Sequence, residues 1–331
     1  MSKQAVLLLA HGTPETVDQI PEYLRNVVSG RPMPEHVIEE IKHRYSLIGR
    51  SPLTEITLEQ GKMVEAELAM EGVDAQVYVG MRNWKPYIPD VVRKMRADGV
   101  EQAAVICLAP QNSRTSVGMY KRAVQAEAGA LKIDFTDAWA RDPLLADAFA
   151  ERLRTVEERM KSETGAHVPV LFTAHSVPTR TVQTPAPTER EAKAQEARMW
   201  PGQGADPYAE DAWATSELVA ERVPEIPKWW FAFQSQGASG GEWIGPTVEE
   251  TLTALAAEGV KVLILQPVGF LCDHVEILYD VDIAFKDFAK RLGIRLERPE
   301  SLNASLTLAR AISGLAIRGL IRLKESEPPI T

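Results

Sequence analysis

One histidine stands where a buried strand should end. His175 follows the apolar run Val168–Ala174 and precedes Ser-Val-Pro, which turns the chain. An imidazole titrates near neutral pH, so it can accept a proton or bind a metal ion through a ring nitrogen. A histidine at such a place is as often structural as functional, and the residue type alone leaves both alternatives open.

Acidic residues follow a second apolar run, in the segment DHVEILYDVD. Glu276 and Asp280 are four residues apart and would share one face of a helix, with Asp273 near the same stripe. Two adjacent carboxylates repel each other, so one of them is expected to have a raised pKa suited to proton transfer. The pair would also suit a divalent cation. The alternative is a solvated helix face.

A third group of candidates combines apolar and cationic side chains between residues 31 and 50. It comprises Met33, Val37, Ile41 and Tyr45 at roughly helical spacing, with Arg31, Arg44 and Arg50 nearby. Such a stripe usually belongs to a core. With cationic ends it would also suit a flat apolar ligand that carries carboxylates.

Short apolar runs alternate with longer helical patterns along the chain. Strands are predicted at Gln4–Ala10, Ala75–Gly80, Ala103–Ala109, Val168–Ala174, Lys228–Gln234, Lys261–Val268 and Ile294–Arg298. Helices are predicted at Glu35–Ile48, Thr54–Glu71, Pro86–Asp98, Asp142–Glu163, Asp206–Val223, Pro246–Glu258, Asp273–Leu292 and Ala304–Lys324. The pattern is typical of an α/β protein with parallel sheets covered on both faces. Ligands bind such sheets outside the carboxyl ends of the strands, so the candidates should meet in one cleft.

The two halves of the chain resemble each other. VLLLAHGTP at residues 6–14 recurs as VLFTAHSVP at residues 170–178, and a Trp…Pro pair precedes a helix in both halves. We therefore expect two similar domains, residues 1–155 and 156–303, followed by a helix at residues 304–325. The polar stretch Thr179–Asp206 is expected to be an exposed insertion.

Composition excludes several classes of protein. Hydrophobic residues make up 45% and charged residues 25%, as in globular proteins, and the net charge of −9 argues against a broad nucleic-acid surface. The cysteines Cys107 and Cys272 are too few for a disulfide framework or a four-cysteine cluster. A signal peptide and a membrane span are not indicated, so a cytoplasmic location is expected. The glycine fingerprint of nicotinamide enzymes, the P-loop and the serine-hydrolase elbow do not occur.

Seven segments together resemble the ferrochelatase family, the iron-inserting enzymes of haem synthesis. They are LLLAHGTPETVDQIPEYL, IKHRYSLIGRSPLTEIT, GMRNWKPYI, FTAHSVP, DPYAEDAWATSELVAER, FQSQGASGGEWIGPTVEETL and PVGFLCDHVEILYDVD. The resemblance implies two Rossmann-like, chelatase-type domains with the active-site cleft between them, and a C-terminal helix that packs back on the first. It also implies a porphyrin substrate, with Fe²⁺ as the second substrate and no cofactor.

The resemblance also suggests roles for individual residues. His175 matches a histidine thought to take pyrrole protons and to contact the metal, and Glu276 matches its carboxylate partner. Asp280 matches the next acidic residue on that helix, on a path for protons or metal. Arg44, Tyr45 and Ser51 match positions that hold the porphyrin and its propionates, and Arg31 lies near them.

The chain departs from the family pattern at several positions. His11 stands where soluble enzymes that use coproporphyrin tend to have Tyr. By the internal repeat it is the partner of His175, and we hypothesise that it contacts the metal from the opposite side of the macrocycle. Thr115 replaces an aromatic residue at the propionate wall, where Arg114 could compensate. Ala284 replaces an acidic residue two turns beyond Glu276.

The resemblance leaves the porphyrin open. Coproporphyrin III is favoured over protoporphyrin IX because, like the soluble coproporphyrin enzymes, the chain lacks an anchoring tail and cluster cysteines. The alternative from another class is a non-catalytic tetrapyrrole carrier or sensor, although His175 and Glu276 favour an enzyme. A cobalt chelatase and a nicotinamide oxidoreductase fit less well. The apolar stripe could contact a membrane surface or a haem-accepting protein.

Overall fold

The fold consists of two parallel sheets flanked by helices. A computed structural model describes residues 3–114, 116–179, 206–236 and 242–326. In these residues each sheet has four strands. The strands are β1 Gln4–Ala10, β2 Gln76–Met81, β3 Gln102–Cys107, β4 Lys132–Thr136, β5 Val170–His175, β6 Trp229–Gln234, β7 Val262–Pro267 and β8 Arg295–Glu297.

The helices cover both faces of the sheets. They are α1 Ile20–Val27, α2 Glu35–Ile48, α3 Leu53–Met70, α4 Ile88–Ala97, α5 Val117–Ala128, α6 Pro143–Thr164, α7 Tyr208–Arg222, α8 Val248–Ala257, α9 Lys286–Arg291 and α10 Leu306–Glu325. A short 3₁₀ helix, Val17–Gln19, precedes α1, and a π-helix, Glu276–Phe285, leads directly into α9.

The internal repeat of the sequence corresponds to a repeat of topology. The strand orders are β2-β1-β3-β4 and β6-β5-β7-β8, so the first strand of each half lies between the second and third. The backbone N–H of Met81 donates to the Pro86 carbonyl (2.6 Å), and that of Phe233 donates to the Pro246 carbonyl in the same way (2.8 Å). The predicted α/β class with two similar Rossmann-like halves is confirmed.

The central strand β1 shows why these runs are continuously apolar. Val6 and Leu8 point into one core cluster, and Leu7 and Leu9 point into another on the opposite face of the sheet. All four are fully buried. A strand covered on both faces needs apolar side chains at every position.

The last helix, α10, packs against the first half of the molecule. It contacts β3, β4, α3 and α6. Its residues Ile312 and Ala316 belong to a core cluster that also contains Phe172 of β5 and Ile264 of β7. The two halves therefore share a core, while the predicted boundaries at residues 155 and 303 stay a prediction.

Some elements were not predicted from the sequence. The edge strand β4 is short and only half-buried, and α1 has eight residues with a proline in its first turn, so neither gives a strong periodic signal. Helix α5 was also missed. In the segment predicted as one helix, Asp273–Leu292, the structure has a π-helix over Glu276–Phe285, followed by the short α9.

The remaining expectations concern membrane spans, the two cysteines and the polar insertion. In the described ranges, no helix is both long enough and apolar enough to cross a membrane. Both cysteines are free and buried, as expected. The predicted exposed insertion Thr179–Asp206 falls, apart from its two end residues, outside the described residues.

Candidate active site

His175 ends β5 and is about one-third exposed, with its ring beside Trp243 and Phe270 at centroid distances of 6.2 and 6.3 Å. The imidazole Nδ1 lies within hydrogen-bond distance of the Ser176 carbonyl. A carbonyl oxygen can only accept, so Nδ1 carries a proton, and in the neutral tautomer it is the nitrogen that holds the single ring proton. Nε2 then carries the lone pair, and it lies 3.6 Å from Glu276 Oε2.

Glu276 is the first residue of the π-helix, after the loop that follows β7. Its backbone N–H donates to His274 Nδ1 (3.2 Å), and its carbonyl accepts a hydrogen bond from Gln234 Nε2 (3.3 Å). These bonds fix the backbone, while the buried Oε2 atom receives no hydrogen bond from the described residues. An ionised oxygen in that position can bind a proton or a cation.

The charge of Glu276 is set by its neighbours. Burial, the largest single cause, would raise the pKa of Glu276, but the charges of His175, His274 and His11, where these are protonated, and of Arg44 together outweigh burial and lower the pKa. The carboxylate is therefore ionised at neutral pH.

Asp280, one π-turn further on, is buried and behaves differently. Its Oδ2 accepts a hydrogen bond from Ser235 Oγ, and its Oδ1 lies 3.3 Å from Arg44 Nη1. Burial, the largest cause, raises the pKa of Asp280 to about 6, with Glu276 adding to the rise and Ser235 and Arg44 opposing it. One of the two adjacent carboxylates thus has a raised pKa, as expected, with burial and not repulsion by Glu276 as the main cause.

His11 directly follows β1, the first-half strand that is equivalent to β5. Its Nε2 shares a hydrogen bond with the Tyr23 hydroxyl (2.8 Å), and the Asn83 amide donates to its ring (3.2 Å). Burial lowers the pKa of His11 to about 4, with Arg82 also lowering it and Glu276 opposing. The imidazole is therefore neutral at pH 7, and protein groups lie at both ring nitrogens.

Tyr45 and Tyr23 pack together behind His11. Both are buried in a cluster with Trp84, and burial, as the largest cause, raises the pKa of each phenol well above its ordinary value. Both stay neutral. Tyr45 therefore forms part of the core of the first half, with its hydroxyl beside that of Tyr23.

Arg44 joins the two halves. It pairs with Glu40 on its own helix and with Asp280 on the π-helix, and its guanidinium lies 5.1 Å from the centre of the Tyr279 ring. Arg44, one of the predicted cationic side chains, thus already pairs with carboxylates of the protein. A ligand carboxylate would have to compete with them.

The other predicted ligand-binding residues lie around this cluster. Ser51 is buried, and its Oγ has no hydrogen-bond partner among the described residues. Arg31 is exposed, and its Nε donates to the Val28 carbonyl (3.0 Å). The backbone N–H of Arg114 donates to Asp206 Oδ2 (2.9 Å), which fixes the loop after β3. Thr115 lies outside the described residues.

The structure separates Asp273 from the other two carboxylates. The sequence placed it near the Glu276 stripe, but it precedes the π-helix and pairs with Arg298 (3.1 Å). It also accepts hydrogen bonds from Ser301 and Asn303. These partners were not found from the sequence, because they lie 25 to 30 residues away and belong to no recognisable motif.

No preformed metal centre is found in the part of the chain that the structure describes. There, no three His, Cys, Asp or Glu side chains come together as a metal-binding group. The set His11, His175 and Glu276 is therefore not assembled around one point. What the geometry offers is the His175–Glu276 pair, with His11 and His274 close enough to affect its charge.

The chain matches a known family over most of its length. The family model named Ferrochelatase matches residues 3–320. A ferrochelatase of Acidobacterium capsulatum is 59% identical over 328 residues, covering 99% of this chain and 98% of that protein. A coproporphyrin III ferrochelatase of a Geobacillus species is 31% identical, covering 96% and 97%.

Solved structures show the same architecture at low sequence identity. SirB from Bacillus subtilis with Fe³⁺ superimposes with a TM-score of 0.57 at 12% identity, covering 98% of both chains. The sirohydrochlorin chelatase SirB from Bacillus subtilis subspecies spizizenii, in complex with cobalt, gives 0.54 at 11% identity, again covering 98% of both. At this identity the likeness shows the fold alone.

Proposed function

The chain belongs to the ferrochelatase family, and on that premise we propose that His175 and Glu276 carry out the insertion of Fe²⁺ into a free-base porphyrin. The family makes the protein a metal-inserting chelatase of haem biosynthesis. The observation that supports these two roles is the 3.6 Å separation of His175 Nε2 and Glu276 Oε2.

The reaction needs a proton acceptor. A free-base porphyrin binds Fe²⁺ by losing two pyrrole protons, so the product carries no net charge from the metal and the protons must leave the site. His175 Nε2 carries the lone pair because Nδ1–H is held by the Ser176 carbonyl, and it takes the two pyrrole protons in turn, passing the first outward before it accepts the second. The neighbouring Glu276 carboxylate stabilises the resulting imidazolium and binds Fe²⁺ as it arrives.

Asp280 is assigned the next step in the transfer of protons out of the site. Its pKa of about 6 lies close to neutrality, so it can take up and release a proton near physiological pH. Ser235 and Arg44 contact its carboxylate and hold it near Glu276. We assign Asp280 to the path by which protons leave or metal enters.

Porphyrin binding is assigned to the surrounding residues. The buried Ser51 hydroxyl has a free hydrogen-bonding capacity, and the Arg44 guanidinium can exchange a protein carboxylate for a propionate. Tyr45, Arg31 and Arg114 are proposed to complete the contacts, as is Thr115. Arg31 is exposed, and it would give up its hydrogen bond to the Val28 carbonyl to reach a ligand carboxylate.

Coproporphyrin III is the proposed substrate, ahead of protoporphyrin IX. It carries four carboxylates and protoporphyrin two, and the guanidinium group of Arg44 lies at the site, 3.3 Å from Asp280. The Geobacillus relative is a coproporphyrin III ferrochelatase. His11 is proposed to face the macrocycle opposite His175; to bind metal it would first release Tyr23.

Anaerobic Fe²⁺ insertion by the purified protein tests these assignments. Coproporphyrin III is expected to exceed protoporphyrin IX by about tenfold or more in kcat/KM, about 1.4 kcal/mol of transition-state binding. His175→Ala and Glu276→Gln should each lower kcat by about a hundredfold, the usual scale for losing a general base. His11→Ala and His11→Tyr should change turnover or the product spectrum.

Three outcomes would contradict the proposal. Preference for protoporphyrin IX overturns the substrate assignment, and unchanged turnover in both His175→Ala and Glu276→Gln overturns the catalytic pair. Tight porphyrin binding without turnover, the same in wild type and variants, would support a carrier instead of an enzyme.

A further inference from the structure

The guanidinium group of Arg298, which lies outside the site, forms hydrogen bonds with one residue before Glu276 and one after it. Arg298 follows β8, and its side chain is only 11% exposed. Nη2 donates to Asp273 Oδ1 (3.1 Å) and Asp282 Oδ2 (2.7 Å), and Nε donates to Asp282 Oδ1 (2.9 Å). Asp273 precedes Glu276 and Asp282 follows it, so a single side chain spans the segment.

Asp273 is also held by hydrogen bonds to residues other than Arg298. Ser301 Oγ donates to Asp273 Oδ1 (2.7 Å), Asn303 Nδ2 donates to Oδ2 (2.9 Å), and the Asp273 N–H donates to Asn303 Oδ1 (2.9 Å). The Asn303 carbonyl in turn accepts from Gln60 Nε2 of α3 (2.8 Å). A charge network whose members are all paired is rigid, and it ties the start of the π-helix to the first half.

The π-helix gives a reason for the contacts of Arg298 with Asp273 and Asp282. Helices of this type are rare, and they are found frequently at functional sites. Conversion to an α-helix would change the rotation per residue between Asp273 and Asp282 and would turn Glu276 away from its present direction. Two fixed points on either side of Glu276 favour one form over the other.

We propose that Arg298 is a positioning residue for metal insertion, which holds Glu276 at its distance from His175 through Asp273 and Asp282. This inference rests on the proposed function, because it explains the placement of Glu276. Arg295, three residues earlier, is the matched control. It is 43% exposed and pairs with Glu163 and Glu297 at the surface.

The first test separates turnover from binding. Arg298→Met is expected to lower kcat for Fe²⁺ insertion about tenfold, with the KM for porphyrin changed less than about threefold, because the ligand contacts remain. Arg298→Lys keeps the charge but cannot span two carboxylates as a guanidinium does, so it should restore only part of kcat. Arg295→Met should leave both constants unchanged. Circular dichroism gives the folded fraction of each variant.

A double-mutant cycle with Glu276→Gln is the decisive experiment. If Arg298 acts through Glu276, Arg298→Met should have little further effect on kcat in the Glu276→Gln background. If the two substitutions lower kcat independently of each other, the positioning role is overturned. An unchanged kcat in folded Arg298→Met also overturns it. Asp282→Asn replaces Arg298→Met in the same cycle if the latter does not fold. Unchanged turnover in Glu276→Gln alone would instead overturn the proposed function.

Discussion

Asp280 keeps a carboxyl group where little water can reach it. Burial favours the protonated form of Asp280. The Ser235 hydroxyl and the Arg44 guanidinium favour the ionised form. Burial prevails, so the charged form costs folding energy at neutral pH. A carboxylate with a purely structural role gains nothing from a raised pKa. A carboxylate that exchanges protons with a neighbouring site works best with a pKa near neutrality.

Asp280→Asn should reveal this cost through the pH dependence of stability. The folded pKa of about 6 exceeds the ordinary value of 3.8, so the group's stabilising contribution is full below about pH 4 and is lost as pH rises through 6. The asparagine variant has no such loss. Its free energy of unfolding, relative to wild type, should rise by about 2–3 kcal/mol between pH 4 and 7, measured by urea unfolding.

Ser235→Ala is the companion variant. It removes the hydroxyl that stabilises the ionised form, so the pH window of the loss should move upward. A difference between Asp280→Asn and wild type that stays constant with pH would contradict the raised pKa.

At the scale of elements, the packing of α10 depends on one glycine. A Cβ atom added at Gly319 would lie 3.0 Å from Ala104 Cβ on β3 and 2.9 Å from Asp134 Oδ1. That carboxylate is held by Arg322 of the same helix through two hydrogen bonds, of 2.8 and 2.6 Å. The helix therefore lies close to the sheet because residue 319 has no side chain.

Gly319→Ala is expected to destabilise the protein by about 1–2 kcal/mol, because overpacking outweighs the better helix propensity of alanine. Gly314→Ala in the same helix is the control. Its Cβ would meet only the Arg318 guanidinium at 3.4 Å, so it should stabilise by about 0.5–1 kcal/mol. Thermal unfolding measures both. Equal stabilisation by the two substitutions would show that α10 does not approach β3 this closely.

How well an element could be predicted depended on the strength of its local signal. β1 was predicted to the residue, as Gln4–Ala10, because it is buried on both faces and ends at a turn. His175 and Glu276 were found as site candidates because the first lies at the carboxyl end of a buried strand and the second opens the helix after another. The π-helix gave no signal of its own, since its residues repeat like those of an ordinary helix.

Contacts between distant segments could not be predicted from spacing. Tyr23 and Asn83 contact His11 only because α1 and the loop after β2 fold over the end of β1. Arg298 reaches Asp273 through a loop that carries no motif. Such pairs depend on the placement of whole elements, which the sequence of a single chain does not encode locally.

At the scale of the whole molecule, the two halves are held together by apolar and polar contacts. One core cluster contains Leu8 of β1 and Phe172 of β5. Where the halves meet, Gln111 Nε2 donates to the Val268 carbonyl (3.0 Å) and to Thr215 Oγ1 (3.2 Å), and Gln111 is 2% exposed. A shared core predicts that the halves unfold together.

Gln111→Ala tests this coupling. Its loss leaves the buried Val268 carbonyl without this donor and should lower the free energy of unfolding by about 1–3 kcal/mol. If the halves form one cooperative unit, hydrogen exchange of β1 and β5 should accelerate by the same factor, because both strands exchange through the same global opening. Gln125→Ala, at an exposed position of α5 in the first half, should leave both rates unchanged. Faster exchange confined to one strand would show that the halves unfold separately despite their common core.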